Sequence, residues 1–121
     1  MNITLAGRIP SKKNSKKIIQ HGGRTFLVPS SNYAKWHKEA LKEVGSQCPG
    51  HMLPIKAALI ELTFYAPDRI RGDLTNKAES VMDLLVDTGV LKDDNWFEIG
   101  AINLRLGGVD RERPRVEVKI N

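Results

Sequence analysis

Two segments with helical apolar spacing, on either side of a β-branched run, constrain the fold of this chain more than any other sequence feature. The first segment follows Pro29-Ser30-Ser31, which can cap a helix, ends near Gly45, and carries the apolar residues Tyr33, Trp36, Ala40, Leu41 and Val44. The second starts at Leu74, ends at Thr88-Gly89, and carries Ala78, Val81, Met82 and Leu85. Residues 55–65 lie between them and predict a central strand with Ile60, Leu62 and Phe64 on one side.

Shorter segments complete this pattern with strands and turns. We predict further strands over residues 1–8, 96–106 and 115–120, a turn over residues 107–110, and a hairpin of residues 16–20 and 24–28 around His21-Gly22-Gly23. A chain of 121 residues has room for one ordinary domain. The sequence therefore predicts a single α+β domain over residues 1–121, with two main helices packed on a mixed sheet.

Composition argues against a membrane span and a disulfide framework. No apolar run approaches the roughly 20 residues of a membrane helix, and the N-terminus lacks the order of a signal peptide, so we expect a cytoplasmic protein without a membrane partner. Cys48 is the single cysteine, and we expect it to be an inert thiol. The scattered His21, His37 and His51 are expected at the surface or in packing.

Charge is divided unevenly between the two halves of the chain. Residues 1–56 carry ten basic and two acidic side chains, whereas residues 57–121 carry nine basic and twelve acidic ones. A basic half favours a polyanion as partner, because lysine and arginine neutralise phosphates and release counterions. An acidic half repels the same polyanion unless metal ions lie between them. An ordinary soluble protein with uneven surface charge is the alternative, so particular residues must decide.

The segment of residues 69–83 places charged groups at the junction between the central strand and the second helix, where open α/β sheets commonly hold ligands. Thr75, Glu79 and Asp83 follow one another at i, i+4 and i+8, beside the apolar face. Carboxylates at the edge of a core need a cation, a hydrogen bond or an arginine. The simpler alternatives are a helix cap for Asp73 and a solvated helix edge for Glu79 and Asp83.

Asp93-Asp94 forms a second acidic point, after the second helix and before the strand predicted to open at Trp96. Oxygen ligands that meet from separate segments at the end of a sheet are typical of a magnesium site, which keeps several waters and binds substrate phosphate. Water bound to such an ion can become a nucleophile, so the pattern indicates phosphodiester hydrolysis. A polar turn is the alternative for this pair.

Together, these features resemble the RusA family of bacterial and phage junction endonucleases. The similarity covers almost the whole chain and rests on residues 7–14 (GRIPSKKN), Tyr33 and Trp36, Asp73-Leu74-Thr75-Asn76, Asp83-Leu84-Leu85 and residues 89–94 (GVLKDD). It implies a homodimer that resolves four-way or other branched DNA by paired symmetric nicks in recombination and repair. It also implies dependence on Mg²⁺, with Mn²⁺ as a substitute, and suggests a phage or prophage source.

The resemblance implies metal-binding roles for particular carboxylates. Asp73 and Asp94 correspond to two ligands, with Asp93 as the alternative from the same pair, and Asp83 corresponds to a supporting aspartate. Thr75 stands where the family typically has a second aspartate.

A second departure from the family pattern is that Glu79 stands where a lysine is typical. We hypothesise that Glu79 reaches back one helical turn as the third acidic ligand, and that Lys77 takes the phosphate role of the absent lysine. Thr75 and Asn76 are expected to support the site from the first turn.

The basic residues then acquire a role as phosphate contacts that orient the DNA arms. The candidates are Lys12, Lys13, Lys16, Lys17, Arg24, Arg69 and Arg71. Two alternatives remain open: an accessory protein that binds branched DNA without efficient catalysis, since one family aspartate is missing, or a nuclease that prefers flaps or Y-forks.

Overall fold

The computed structural model describes residues 1–11, 16–29, 31–50 and 53–121, and for residues 16–21 and 26–29 it describes the backbone alone. Within these residues the elements are β1 (Asn2–Ala6), β2 (Lys16–His21), β3 (Arg24–Pro29), α1 (Ser31–Gln47), β4 (Ile60–Ala66), α2 (Leu74–Asp87), β5 (Ile102–Val109) and β6 (Arg115–Ile120). The predicted α+β class, the two helices and the hairpin are confirmed.

One mixed sheet carries the domain. Its strand order is β1-β6-β4-β5, in which β4 pairs antiparallel with β6 and parallel with β5, while β2 and β3 form a separate hairpin. Side chains alternate across the sheet, so that Ile60, Leu62 and Phe64 of β4 are buried, as predicted.

Both helices bury one apolar stripe in the same core. Tyr33, Trp36, Ala40 and Val44 of α1 are buried, whereas Leu41 is 38% exposed because it lies at the margin of the stripe. The buried residues of α2 are Ala78, Ser80, Val81, Met82, Leu84 and Leu85. None of the helices described by the structure is long and apolar enough to cross a membrane.

The segment before β5 departs from the prediction. Residues 96–101 were expected to be strand, but the side chain of Asn95 accepts a hydrogen bond from the Phe97 N–H (2.9 Å) and its carbonyl accepts one from the Ile99 N–H (3.1 Å), which holds a turn. The predicted turn over residues 107–110 is also wrong. β5 continues to Val109 because a bulge between Phe64 and Tyr65 of β4 accommodates the extra residue of β5.

The parallel pair of β4 and β5 fixes the direction of α2. Because both strands run the same way, α2 must return along the full length of the sheet before β5 can start. Hydrogen bonds from the Ile55 N–H to the Val90 carbonyl (2.8 Å) and from the Ala57 N–H to the Glu98 carbonyl (3.0 Å) place residues 90–98 beside the start of β4. Residues 67–73 instead follow the end of β4.

The two edges of the sheet differ in how they meet solvent. At the β1 edge, side chains of α1 bond the backbone: the Thr4 N–H donates to Gln47 Oε1 (2.8 Å), and the Ala6 N–H donates to Glu43 Oε2 (2.9 Å). Gln47 Nε2 also donates to the Thr4 carbonyl (2.8 Å). At the β5 edge, no described side chain makes such a bond, and Ile102 and Leu106 are exposed.

Replacing Gln47 with Ala tests the contribution of the β1 edge cap. Two hydrogen bonds to β1 and one to the Glu43 carbonyl are lost, but water can replace them at this exposed position, so the free energy of unfolding should fall by only about 1 kcal/mol. Urea unfolding followed by circular dichroism measures the change. Lys38→Ala, on the exposed side of the same helix, is the control and should change stability by less than about 0.5 kcal/mol. Equal values for the two variants would contradict a stabilising cap.

Candidate functional site

Asp73 caps the N-terminus of α2. Its Oδ1 accepts hydrogen bonds from the Thr75 N–H (3.0 Å), the Thr75 hydroxyl (2.7 Å) and the Asn76 N–H (3.3 Å). The capping alternative is therefore confirmed, and it holds the carboxylate in a fixed orientation at the start of the helix. Thr75, which replaces the typical family aspartate, contributes a hydroxyl that steadies Asp73.

Lys77 ties the loop after β1 to α2. Its ammonium donates to the Ile9 carbonyl (2.7 Å), and one turn further the Ser80 hydroxyl donates to the Pro10 carbonyl (2.6 Å). Partial burial lowers the pKa of Lys77, the nearby Arg8 lowers it further, and Asp68 opposes the shift. A Cβ at Gly72 would lie 2.5 Å from Lys77 Cε, so the lysine stem passes over a residue that lacks a side chain.

Two further carboxylates of α2 were candidate site residues. Glu79 is exposed and Asp83 is half-buried on the helix that Asp73 caps. Among the residues that the structure describes, no group of three or more His, Cys, Asp and Glu side chains is placed to hold a metal ion. Metal binding by Glu79 accordingly stays a prediction.

Asp93 and Asp94 occupy the turn that follows α2. Asp93 accepts hydrogen bonds from the Asp94 N–H (2.8 Å) and from Asn95 Nδ2 (2.9 Å). The backbone bond from Asp94, followed by the Asn95 bond, lowers the pKa of the Asp93 carboxyl. The polar-turn alternative thus describes Asp93, whose carboxylate is hydrogen-bonded to groups of its own turn. The side chains of Asp93 and Asp94 are both exposed.

Asp73 and Asp94 lie at opposite ends of the sheet. Asp73 follows the end of β4, whereas residues 90–98 pair with the segment before β4. The 14 residues of α2 between the two points span about 21 Å at 1.5 Å per residue. The expectation that these carboxylates meet at one end of the sheet is therefore wrong for a single chain, because a parallel β4–β5 pair separates the start of α2 from the start of β5.

The predicted DNA-contacting residues are distributed over two regions. Arg69 and Arg71 are exposed in the loop before Asp73, and neither makes an ion pair or hydrogen bond with the described residues. Arg24 is exposed beside the hairpin turn. Lys16 and Lys17 belong to β2, and Lys12 and Lys13 lie outside the described residues. Phosphate contact by these residues stays a prediction.

A cleft of about 520 Å³ opens beside Asp73, at the carboxyl ends of β4 and β5. Its walls include Phe64, Leu106 and Val109, and it is also lined by basic side chains from the loop after β1, the loop after β4, α2 and β6. They are Arg8, Arg69, Arg71, Lys77 and Arg115. The lining thus combines apolar side chains with these five basic ones and one acidic residue, Asp68.

Two of these arginines were not singled out from the sequence. Arg8 forms an ion pair with Asp68. Arg115 stacks over the Tyr65 ring, 3.9 Å from its centroid, and donates to Asp110 (2.9 Å) and Glu117 (3.1 Å). These bonds raise the pKa of Arg115. Arg8 lies within residues 7–14, on which the family resemblance rests, but was given no role of its own. No motif marks Arg115, although it opens a predicted strand whose alternation places it on the polar face.

Two substitutions of Asp73 separate its capping role from its charge. Asp73→Ala should lower the free energy of unfolding by about 1 kcal/mol, because the first N–H groups of α2 lose their acceptor. Asp73→Asn should stay within a few tenths of a kcal/mol of the wild type, since asparagine caps a helix about as well. Urea unfolding of both variants provides the measurement. If Asp73→Asn lowered the free energy of unfolding as much as Asp73→Ala, the charge of Asp73 and not its capping oxygen would stabilise the helix.

Comparisons with known proteins agree with the resemblance inferred from the sequence. Residues 8–121 match the family model of endodeoxyribonuclease RusA. The crossover junction endodeoxyribonuclease RusA of Aquifex aeolicus (strain VF5) is 27% identical over 96 residues, which cover 78% of this chain and 74% of that protein. Because the family match extends from the loop after β1 to the last strand, this chain belongs to the RusA family of endodeoxyribonucleases.

Proposed function

We propose that this chain resolves four-way DNA junctions by paired, symmetric cuts that depend on Mg²⁺. The observation that carries the proposal is the match to a family of endodeoxyribonucleases over residues 8–121. The site agrees with it, because Asp73 lies at the start of α2 beside exposed Arg69 and Arg71, and these two cations can attract a phosphate. A phage or prophage source and a cytoplasmic location are part of the same proposal.

The active species in this proposal is a homodimer joined at the β5 edge. A four-way junction has two-fold symmetry, so matched cuts need two sites related by a two-fold axis. The β1 edge is capped by α1, whereas β5 exposes Ile102 and Leu106, and Trp96 and Phe97 just before it are 84% and 81% exposed. Exposed aromatic side chains beside the unpaired edge of a strand are typical of a surface that a partner covers.

Antiparallel pairing of two β5 strands would complete the acidic site. In such a pair, the start of one strand lies beside the end of the other. Asp94, before β5, would then approach Asp73 of the partner subunit, which follows the end of the parallel β4. The separation found within one chain is compatible with this arrangement, since a two-fold axis beside β5 would bring carboxylates from opposite ends of the two sheets together.

In the dimer, Asp73, Glu79 and either Asp94 or Asp93 would hold the ion, with Asp83 in support. Carboxylate oxygens are the ligands that Mg²⁺ prefers, and Mn²⁺ accepts the same set. The ion supplies activation of water and compensation of charge on the leaving oxygen. Lys77 keeps two N–H donors beyond its bond to Ile9, so it can orient a phosphate in the cleft.

Mixing two inactive variants tests both the activity and the shared site. Asp73→Asn and Asp94→Asn chains should each cut a four-way junction at least about 100-fold more slowly than the wild type in Mg²⁺. After subunit exchange, half of the dimers carry one intact and one doubly altered site, so nicking should recover to about a quarter of the wild-type rate. The product should be a nicked junction and not two resolved duplexes, because each such dimer cuts one strand.

The same assay distinguishes the alternatives. No recovery in a mixture where heterodimers are detected contradicts the shared site. A wild-type chain that binds the junction but cuts it in neither Mg²⁺ nor Mn²⁺ is an accessory protein, a reading that Thr75 in place of the family aspartate favours. Faster cutting of a Y-fork than of the junction points to a nuclease for other branched structures, and linear duplex serves as the negative control.

Glu79→Gln tests the third ligand. If Glu79 contacts the ion, loss of its charge should raise the Mg²⁺ concentration needed for half-maximal cleavage by about tenfold or more. Glu39→Gln, at an exposed position of α1, is the matched control and should leave the titration unchanged. A Glu79→Gln curve that superimposes on the wild type would remove Glu79 from the site.

A further inference from the structure

The cleft beside Asp73 has a shape and lining that phosphate binding alone does not require. Its volume of about 520 Å³ lies within the range of about 300–1,000 Å³ typical of small-molecule sites. Phe64, Leu106, Val109 and Ile70 contribute apolar surface, and Ile70 is 73% exposed at the rim. A phosphate is bound by charge and N–H donors, so apolar walls point to a flat, less polar group that accompanies the phosphate.

The guanidinium of Arg115, which lines the cleft, is held in a fixed orientation. Arg115 stacks on Tyr65 and is bonded to Asp110 and Glu117, which prevents it from turning freely. A Cβ at Gly107 would lie 2.7 Å from Tyr65 Cζ, so the Tyr65 ring packs directly against the backbone of Gly107. The stack of Arg115 on Tyr65 is thereby supported by β5. Guanidinium planes are surfaces on which nucleobases stack.

The cations that line the cleft complete the features of a single-strand subsite. Arg8 is paired with Asp68 and Arg115 with Asp110, but Arg69 and Arg71 make no ion pair with the described residues. Two uncompensated arginines at the rim of an apolar cleft combine backbone attraction with a surface for stacking, which is how proteins hold unpaired nucleotides.

We propose that this cleft takes up one unstacked nucleobase from the branch point, next to the strand that is cut. This inference rests on the proposed function and adds to it a basis for structural selectivity. Extracting a base from an intact duplex costs a few kcal/mol, and the cost is smallest where the base is already unpaired. A branch point therefore fills the cleft easily, whereas a linear duplex does not.

Junctions with one modified nucleotide test the assignment. With wild-type protein in EDTA, 2-aminopurine at one of the nucleotides flanking the branch should brighten several-fold on binding, because the base leaves its neighbours. The same label in an arm should not respond. An abasic nucleotide at the responding position should weaken binding by about tenfold, the loss expected for one stacked base. An abasic nucleotide in an arm is the control.

Protein variants show whether the base enters this cleft. Arg115→Lys keeps the charge but removes the plane, and Ile70→Ala removes apolar surface at the rim. In either variant, the penalty for the abasic nucleotide should fall from about tenfold to less than about threefold, because the lost contact no longer exists. Arg111→Lys and Leu41→Ala, outside the cleft, should retain the full penalty.

The outcomes separate the two proposals. An abasic penalty that is the same in the wild type, Arg115→Lys and Ile70→Ala overturns the cleft assignment, even if the junction is bound and cut. Tight junction binding without a 2-aminopurine response at any branch position also overturns it and leaves the proposed function intact. Failure of the wild type to bind the junction at all overturns both.

Discussion

The parallel pairing of β4 and β5 is the constraint on which the rest of the structure depends. It forces α2 to cross the sheet from one end to the other, which sets Asp73 at the carboxyl ends of the strands and Asp93-Asp94 at the opposite end. The same crossing leaves an opening above the ends of β4 and β5, because the loop between β4 and α2 must climb out of the sheet there. The positions of Asp73, of the cleft beside it and of the Asp93-Asp94 turn therefore all follow from the direction of β5 relative to β4.

The sequence predicted the elements better than their ends. Apolar spacing located both helices and the buried face of β4, because those positions are fixed by burial on one side. It failed around β5, where residues such as Leu106 and Trp96 are apolar but exposed in a single chain. The turn held by Asn95 and the bulge that lets β5 continue to Val109 depend on hydrogen bonds and strand register that alternation does not report.

For the candidate site, the sequence identified the residue types and not their arrangement. The cap at Asp73 follows from its position before a helix, and the turn at Asp93 follows from adjacent polar residues. Their separation depends on whether β5 pairs parallel or antiparallel with β4, which no local pattern reports. The stack of Arg115 on Tyr65 could not be predicted either, because the two residues are far apart in sequence and meet only through the pairing of β6 with β4.

The unequal edges of the sheet also limit how large an assembly can grow. A sheet with two open edges can add copies at both sides without end, as fibres do. Here the bonds from Glu43 and Gln47 occupy the outer backbone of β1, which leaves β5 as the side that can accept another strand. In the proposed dimer, pairing β5 with its own copy would use that side in both chains at once, so growth would stop at two molecules.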